Sequence, residues 1–385
     1  MKANTSLRLG ITYGLFYLAY MSLFPFQTIY LTELGYDKSA ISVLTTCTAL
    51  GNFLIQFPLG QLSAKTHSPR KLLVLLMIGA IPLGFLMYLF HGNLAAVILA
   101  VLPVTLLDFS LIGQLDSYTL ALQAQDSSVR YSVMRSVGGL TGAAATMVLG
   151  SIYASRGTGL MFPLHGSLMA LAVLAALLLP KSPPVQTPQQ SGGSGALTAF
   201  LPLLLGGGLV FLGWRAILTY LPVLLMERGG SAAHQGLAMS LMSFSAMPVL
   251  MLYPVFRRKY SLRWLLCTGS AVMVLRLALI SLIRTPEMLA VSQVLESFSY
   301  GLLQPAIMEL MAQAVPDDLR PRVVAIWTGI QMALCTVAAN LLVQLLCIRL
   351  SLAHSFYVFS ALAVLGLIIL TTVASRNSER RNSHA

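Results

Sequence analysis

Seven ionisable residues sit inside runs of apolar sequence: Asp108, Asp116, Arg135, Arg215, Arg276, Glu296 and Glu309. A charge in the hydrocarbon of a bilayer costs at least roughly 2.5–3.5 kcal/mol, so such residues face protein or water and tend to be functional. Two kinds of chemistry are open to them. Opposite charges can clamp a polar solute or latch two segments together. A carboxyl can also take and release a proton, because its proton affinity changes with burial and with a neighbouring arginine.

The pattern pairs these residues. Asp116 and Arg135 flank a short polar loop, Gln125-Asp126-Ser127-Ser128, in which Arg130 follows. An ion pair across that hairpin can hold a solute or close an inward gate; the alternative is a static bridge. Arg276 and Glu296 stand in neighbouring apolar runs. Moving Glu296 on and off Arg276 would make proton affinity depend on conformation; again the alternative is a static bridge. Asp108 lies eight residues before Asp116, about 12 Å along one helix. Arg215 follows Gly206-Gly207-Gly208 and reads either as an anion receptor or as the neutraliser of an acid such as Asp108 or Glu296. Glu309 falls near the end of its run and reads as a gate or loop contact. Gln304 and Gln331 are weaker cavity candidates. The first apolar run adds Tyr13, Tyr17, Tyr20, Phe24 and Gln27. Steps of 4, 3, 4 and 3 put them on one helix face. That stripe reads as a cavity wall that stacks and hydrogen-bonds a solute, or as packing with Tyr13 and Tyr30 as interface anchors.

The elements that carry these residues must be membrane helices. The chain is 57% hydrophobic and 9% charged, with mean hydropathy +0.80, whereas soluble domains carry about 25% charge. A span takes roughly 20 residues, so the 385 residues hold twelve. The predicted spans are 9–31, a second ending near 63, 72–90, 94–122, 132–154, 161–180, 199–226, 236–256, 264–283, 288–314, 322–348 and 354–374. The net charge of +12 is not a nucleic-acid signal. Sixteen of the 24 Lys and Arg fall in alternate loops and the termini, five in the other loops, and three in spans. That bias puts both termini in the cytoplasm. The N-terminal run lacks a small-residue cleavage site and reads as a retained first helix. Cys47, Cys267, Cys335 and Cys347 stand singly in apolar sequence; no metal or disulfide spacing is present, and no cofactor is expected.

The chain repeats itself. Gln123-Ala124, Arg130 and Gly139 return 190 residues later as Gln313-Ala314, Arg320 and Gly329. Leu31-Thr32-Glu33-Leu34-Gly35 is echoed by Leu225-Met226-Glu227-Arg228-Gly229. Arg130 and Arg320, at matched places in the two hairpins, join Glu309 as gating candidates. Between the halves, Lys181 to Gly195 is rich in Pro, Gln, Ser and Gly and reads as a flexible linker. The expected organisation is a six-helix bundle over 1–180, a linker over 181–197, a second bundle over 198–375 and a tail over 376–385. Two parallel six-helix repeats are a transporter plan with the solute site near midplane.

At this point a resemblance enters. Phe16-Tyr17, Tyr20, Pro25-Phe26, Tyr30-Leu31 and Leu34-Gly35, with Leu115-Asp116-Ser117-Tyr118, Tyr131 and Arg135-Ser136-Val137-Gly138, resemble the major facilitator superfamily. The branch is that of lactose permease, nucleoside–proton symporters and the phenylpropionate permease. The resemblance implies an all-α membrane fold of twelve helices in two pseudo-symmetric bundles. It implies that Asp116 and Arg135 stand near the acid–arginine sugar pair, Arg276 at the ninth-helix arginine and Glu296 at the tenth-helix histidine. The family's coupling carboxylate would fall near Ser299, which cannot titrate, so Glu296 is the first proton-carrier candidate. Two features depart from the pattern. Gly60-Gln61-Leu62-Ser63 is followed by Ala64 instead of the usual Asp, and the Gly-Pro signature of many drug antiporters is absent.

The expected function is proton-coupled uptake of a small polar organic solute, such as a sugar, nucleoside or aromatic acid, by alternating access. The solute would meet Tyr17, Tyr20, Phe24, Gln27, Asp108, Asp116, Arg135 and Arg215; Glu296 and Arg276 would couple the proton. The rivals are a multidrug proton antiporter and a non-transporting sensor on a transporter scaffold. The loops carry no metal, nucleotide or nucleophile motif of an enzyme. Expected partners are the solute, protons and the bilayer, not nucleic acid. The chain is expected to work as a monomer in a bacterial inner membrane.

Overall fold

The computed structural model describes residues 2–65, 68–89, 93–126, 129–180, 200–315 and 320–382. The predicted linker and the loop residues 316–319 lie outside the described residues. Eleven described helices are long and apolar enough to cross a membrane.

The chain divides into two compact units, Met1–Pro188 with Ser231–Ser240, and Gln189–Gly230 with Leu241–Ala385. In the first unit, α1 (Lys2–Leu23) is followed by a 3-10 turn at Phe24–Phe26 and by α2 (Gln27–Glu33). Pro25 causes the change of helix type, since it offers no N–H and its ring crowds the preceding turn. Then come α3 (Lys38–Lys65), α4 (Pro69–Leu89), α5 (Leu94–Gln125), α6 (Tyr131–Arg156) and α7 (Met161–Leu177). Asn93 caps α5, its side-chain oxygen accepting from the Ala96 N–H at 2.9 Å, which satisfies a donor the helix start leaves free. In this unit α1 packs on α6 and α7, and α4 packs on α5 and α7.

The second unit is built on the same plan. It holds α8 (Leu201–Glu227), most of α9 (Ala232–Lys259), α10 (Leu262–Leu282), α11 (Pro286–Val291), α12 (Tyr300–Ala314), α13 (Arg320–Gly329), α14 (Cys335–Leu346) and α15 (Leu352–Asn382). Here α8 packs on α14 and α15, and α10 packs on α12 and α15. The repeated pentapeptides end α2 and α8 in the same way. Gly35 and Gly229 take φ of 86° and 76°, a region L side chains resist. Gly35 N–H reaches Thr32 O and Tyr36 N–H reaches Leu31 O, both at 3.0 Å; Gly229 N–H reaches Met226 O at 3.0 Å and Gly230 N–H reaches Leu225 O at 2.8 Å. Both are Schellman caps.

Three predicted spans depart from uniform helix. The first changes type at Pro25, as above. The tenth, predicted as one helix over 288–314, is broken. After α11 a 3-10 turn covers Ser292–Glu296, and helix resumes only at Tyr300. The serines explain it. Ser292, Ser297 and Ser299 turn their hydroxyls back onto the carbonyls of Leu289, Val294 and Leu295 at 2.7, 2.7 and 2.9 Å, a local bonding that competes with the helical ladder. The eleventh span contains a π turn at Ile330–Leu334 between α13 and α14. The last helix runs past the predicted end of its span to Asn382. At the end of α7, Arg8 reaches Leu178 O at 3.0 Å, Arg70 reaches Leu179 O at 2.6 Å and Tyr118 reaches Pro180 O at 2.6 Å. These donors satisfy carbonyls that a helix end leaves open.

Candidate functional site

The most connected polar group of the first unit forms around Asp116. On α6, Tyr131, Arg135 and Gly138 fall at helical spacing and share one face. Tyr131 donates to Asp116 Oδ2 at 3.2 Å, and Arg135 Nη1 lies 3.3 Å from the same oxygen. From α1, Tyr13 donates to Asp116 Oδ1 at 2.9 Å and bonds Thr119 at 3.0 Å. Arg135 also donates to the Tyr17 hydroxyl and lies 5.3 Å over the Tyr17 ring. The Arg135 and Asp116 side chains are 42% and 19% exposed, so the pair can be reached. Gly138 makes the arrangement possible, because a Cβ there would sit 2.6 Å from the Tyr17 ring. Gly138→Val should therefore push Tyr17 off Arg135 and cost about 1–3 kcal/mol of overpacking. The expected outcome is a lower unfolding temperature of the purified protein.

The aromatic row continues from Tyr17. Tyr20 stacks on Phe24 with centroids 5.1 Å apart, and Phe109 of α5 meets Phe24 edge-on at 5.2 Å. Gln27 opens α2 and is half-buried. Tyr30 is buried and meets Phe162 at 5.0 Å. Asp108 stands apart from the Asp116 group. It is buried, and its Oδ2 lies 3.2 Å from Nε2 of the buried His165 on α7.

In the second unit the broken tenth segment carries the acid. Glu296 ends the 3-10 turn. Its Oε1 accepts from Trp214 Nε1 at 2.8 Å, and its Oε2 pairs with Arg276 Nη1. Arg276 Nη2 donates to Gln293 Oε1 at 2.5 Å. Gln293 sits one 3-10 turn before Glu296, so both side chains meet the same guanidinium. The Arg276 and Glu296 side chains are 0% and 5% exposed. This pair is buried where Asp116–Arg135 is part-exposed.

Arg215 lies beside this group, on the face of Trp214. Its Nε donates to Gln331 O at 2.8 Å, it contacts the Met332 sulfur, and its guanidinium is 5.1 Å over the Trp214 ring. The accepting carbonyl belongs to the π turn, and such turns recur at functional sites. Gln331 also donates to Gln304 Oε1 at 2.9 Å. Trp214 stacks on Tyr300 at 4.9 Å. Near the end of α12, Glu309 accepts from Arg257 Nε and Tyr253, each at 2.8 Å, and from Gln313 at 2.7 Å. Arg130 is exposed at the N-cap of α6 and makes no side-chain cap. Arg320 begins α13; its side chain lies outside the described residues.

Several members of these groups were not singled out as site residues from the sequence. His165 escapes an inventory limited to acids and arginines, although an intramembrane histidine carries the same signal. Trp214 and Gln293 were marked only by adjacency, one beside Arg215 and the other three residues before Glu296. Tyr131 begins the helix that carries Arg135, and its spacing from Arg135 is the available cue. Tyr253 and Arg257 precede the basic loop, and nothing local ties them to Glu309.

Solved structures of low sequence identity share the fold. The nucleoside transporter NupG, in a mutant form, superposes with a TM-score of 0.82 at 15% identity, covering 96% of this chain and 99% of that one. The POT family transporter PepTSo gives 0.77 at 11% identity, covering 98% of each chain. A POT family transporter in complex with 5-aminolevulinic acid gives 0.77 at 14% identity, covering 96% of each chain. Comparison with curated protein sequences gives no match. The profile described as MFS_1 like family matches residues 6–358, nearly the whole chain. With that match and this fold, the chain belongs to the MFS_1 like family and is a membrane transporter of the major facilitator type.

Proposed function

We propose that the protein takes up a small polar organic solute together with protons, by alternating access. The observation that carries this reading is the contrast between its two acid–arginine pairs. Asp116 and Arg135 are part-exposed, ringed by the hydroxyls of Tyr13, Tyr17 and Tyr131. Hydroxyls and a guanidinium suit a solute rich in hydroxyl or ring-nitrogen groups. Glu296 is held dry by Arg276 and Trp214. A buried carboxylate that loses its arginine must take a proton or be rehydrated, and that links protonation to shape. Tyr20, Phe24 and Gln27 supply a ring-stacking wall in the first unit; in the second unit Arg215 is a cationic candidate of its own. Glu309 with Arg257 serves as a gating contact of the second unit, where Arg320 is a further gating candidate; Arg130 holds the matched place in the first unit.

Nucleosides lead the solute classes, because the similar NupG structure is that of a nucleoside transporter; sugars and aromatic acids follow. The charge bias of the loops supports cytoplasmic termini, and the family resemblance and the economy of the chain support a bacterial inner membrane. We take the monomer as the working unit.

The test is reconstitution of the purified protein into vesicles, with pH followed outside. The expected result is external alkalinisation on adding one solute class, beginning with nucleosides. Extrusion of lipophilic cations, with no response to nucleosides, sugars or aromatic acids, would overturn the uptake reading.

A further inference from the structure

The mechanism above leaves one buried ionisable pair unused. His165 is completely buried on α7 and Asp108 is 3% exposed on α5. Their bond, Nε2 to Oδ2 at 3.2 Å, uses one polar atom of each. The other two, His165 Nδ1 and Asp108 Oδ1, have no hydrogen-bond partner among the described residues, and neither has Thr105 Oγ1 three residues before Asp108. Gly84 on α4 admits the imidazole: a Cβ there would stand 2.7 Å from Nδ1. The ring therefore fills a place that only glycine leaves open, with its second nitrogen turned toward backbone.

We propose that Asp108 and His165 form a second proton-binding site of this transporter, inside the first unit and loaded independently of Glu296. With one proton the pair is neutral overall, whether as acid and imidazole or as carboxylate and imidazolium. A second proton, taken from solvent at Nδ1 or Oδ1, leaves a net positive charge in apolar packing. A charge without a counter-ion there is costly, so the loaded pair favours an arrangement in which water reaches it. Release to solvent restores the neutral pair. Intramembrane Asp and His side chains placed in this way are the stuff of proton relays.

Other ionisable and polar groups of the surrounding elements have described contacts of their own. From α5, Asp116 is engaged by Tyr13, Tyr131 and Arg135. From α1, Tyr17 is engaged by Arg135, and Tyr20 packs on Phe24 and Phe109. From α4, Tyr88 packs on Phe162. The basic groups Arg8 and Arg70 bond the far end of α7 at Leu178 and Leu179, about 20 Å along the helix from His165.

The role of the site in a cycle rests on the transport reading, but its protonation does not, so two measurements separate them. The first uses the full chain in lipid nanodiscs with ring-labelled histidine, and with His67, His91, His234, His354 and His384 changed to Gln. Of the six histidines, only His165 then gives a signal. Its resonance is expected to respond to pH, along a curve shifted by Asp108→Asn and unshifted by Glu296→Gln. A pH-invariant resonance, a curve indifferent to Asp108→Asn, or one displaced equally by Glu296→Gln would overturn the proposal. The second counts protons per solute in vesicles; His165→Gln should lower that ratio while leaving uptake measurable. An unchanged ratio would remove the site from the cycle. Absence of any solute-driven flux in the unsubstituted protein would count against the transport reading alone, since the resonance decides the site.

Discussion

Glu296→Gln is expected to remove the Glu296 share of solute-driven proton movement, leaving at most the share carried by Asp108 and His165. The substitution keeps an oxygen for Trp214 Nε1 and removes the charge opposite Arg276, which is completely buried. Removing one partner of a buried ion pair is severe, about 3–5 kcal/mol, because the other charge stays behind uncompensated. The purified variant should therefore also unfold at a lower temperature. Loss of flux alone would not separate a proton carrier from a structural bridge. The double variant Glu296→Gln with Arg276→Met does. It replaces the pair by groups of similar volume and leaves no isolated charge, a change that is often neutral for stability. Stability should return most of the way, while proton movement should not. Recovery of coupled uptake in the double variant would make the pair a static bridge and send the search for the carrier elsewhere.

Arg135→Lys is expected to weaken the solute without destabilising the protein. Lysine keeps the positive charge but loses the planar guanidinium that lies over the Tyr17 ring while its Nη1 meets Asp116 and the Tyr17 hydroxyl. A hydrogen bond to a charged group is worth about 2 kcal/mol, roughly 30-fold in affinity. Asp116→Asn should act in the same direction and leave two tyrosine hydroxyls without their carboxylate. Both appear as a raised KM for uptake. Thermal unfolding should barely move, because the pair is part-exposed and water can replace what is lost. An unfolding temperature that falls as far as in Glu296→Gln, with KM unchanged, would mean that Asp116 and Arg135 are a packing bridge.

The long helices could be read from the sequence because hydropathy reports an average over roughly 20 residues, and so could the pairing of Asp116 with Arg135 and of Glu296 with Arg276. Both pairs bridge spans that are consecutive in the chain. Finer features escaped for physical reasons. The break at Ser297–Ser299 comes from hydroxyls bonding back to carbonyls, which a hydropathy average does not register. Arg215 meets a backbone carbonyl at a π turn, and no side-chain pattern announces such a partner. Asp108 and His165 lie 57 residues apart on elements whose facing surfaces only the packing of α4, α5 and α7 decides.

The counterpart of the broken tenth segment is α5, which runs unbroken from Leu94 to Gln125. The two matched segments thus differ in stiffness. The continuous helix keeps its backbone ladder from end to end, whereas the interrupted one gives the ladder up where Glu296 stands. A short 3-10 stretch inside a span is a place where backbone can rearrange at small cost, so a change in the charge of Glu296 acts at the softest point of its segment.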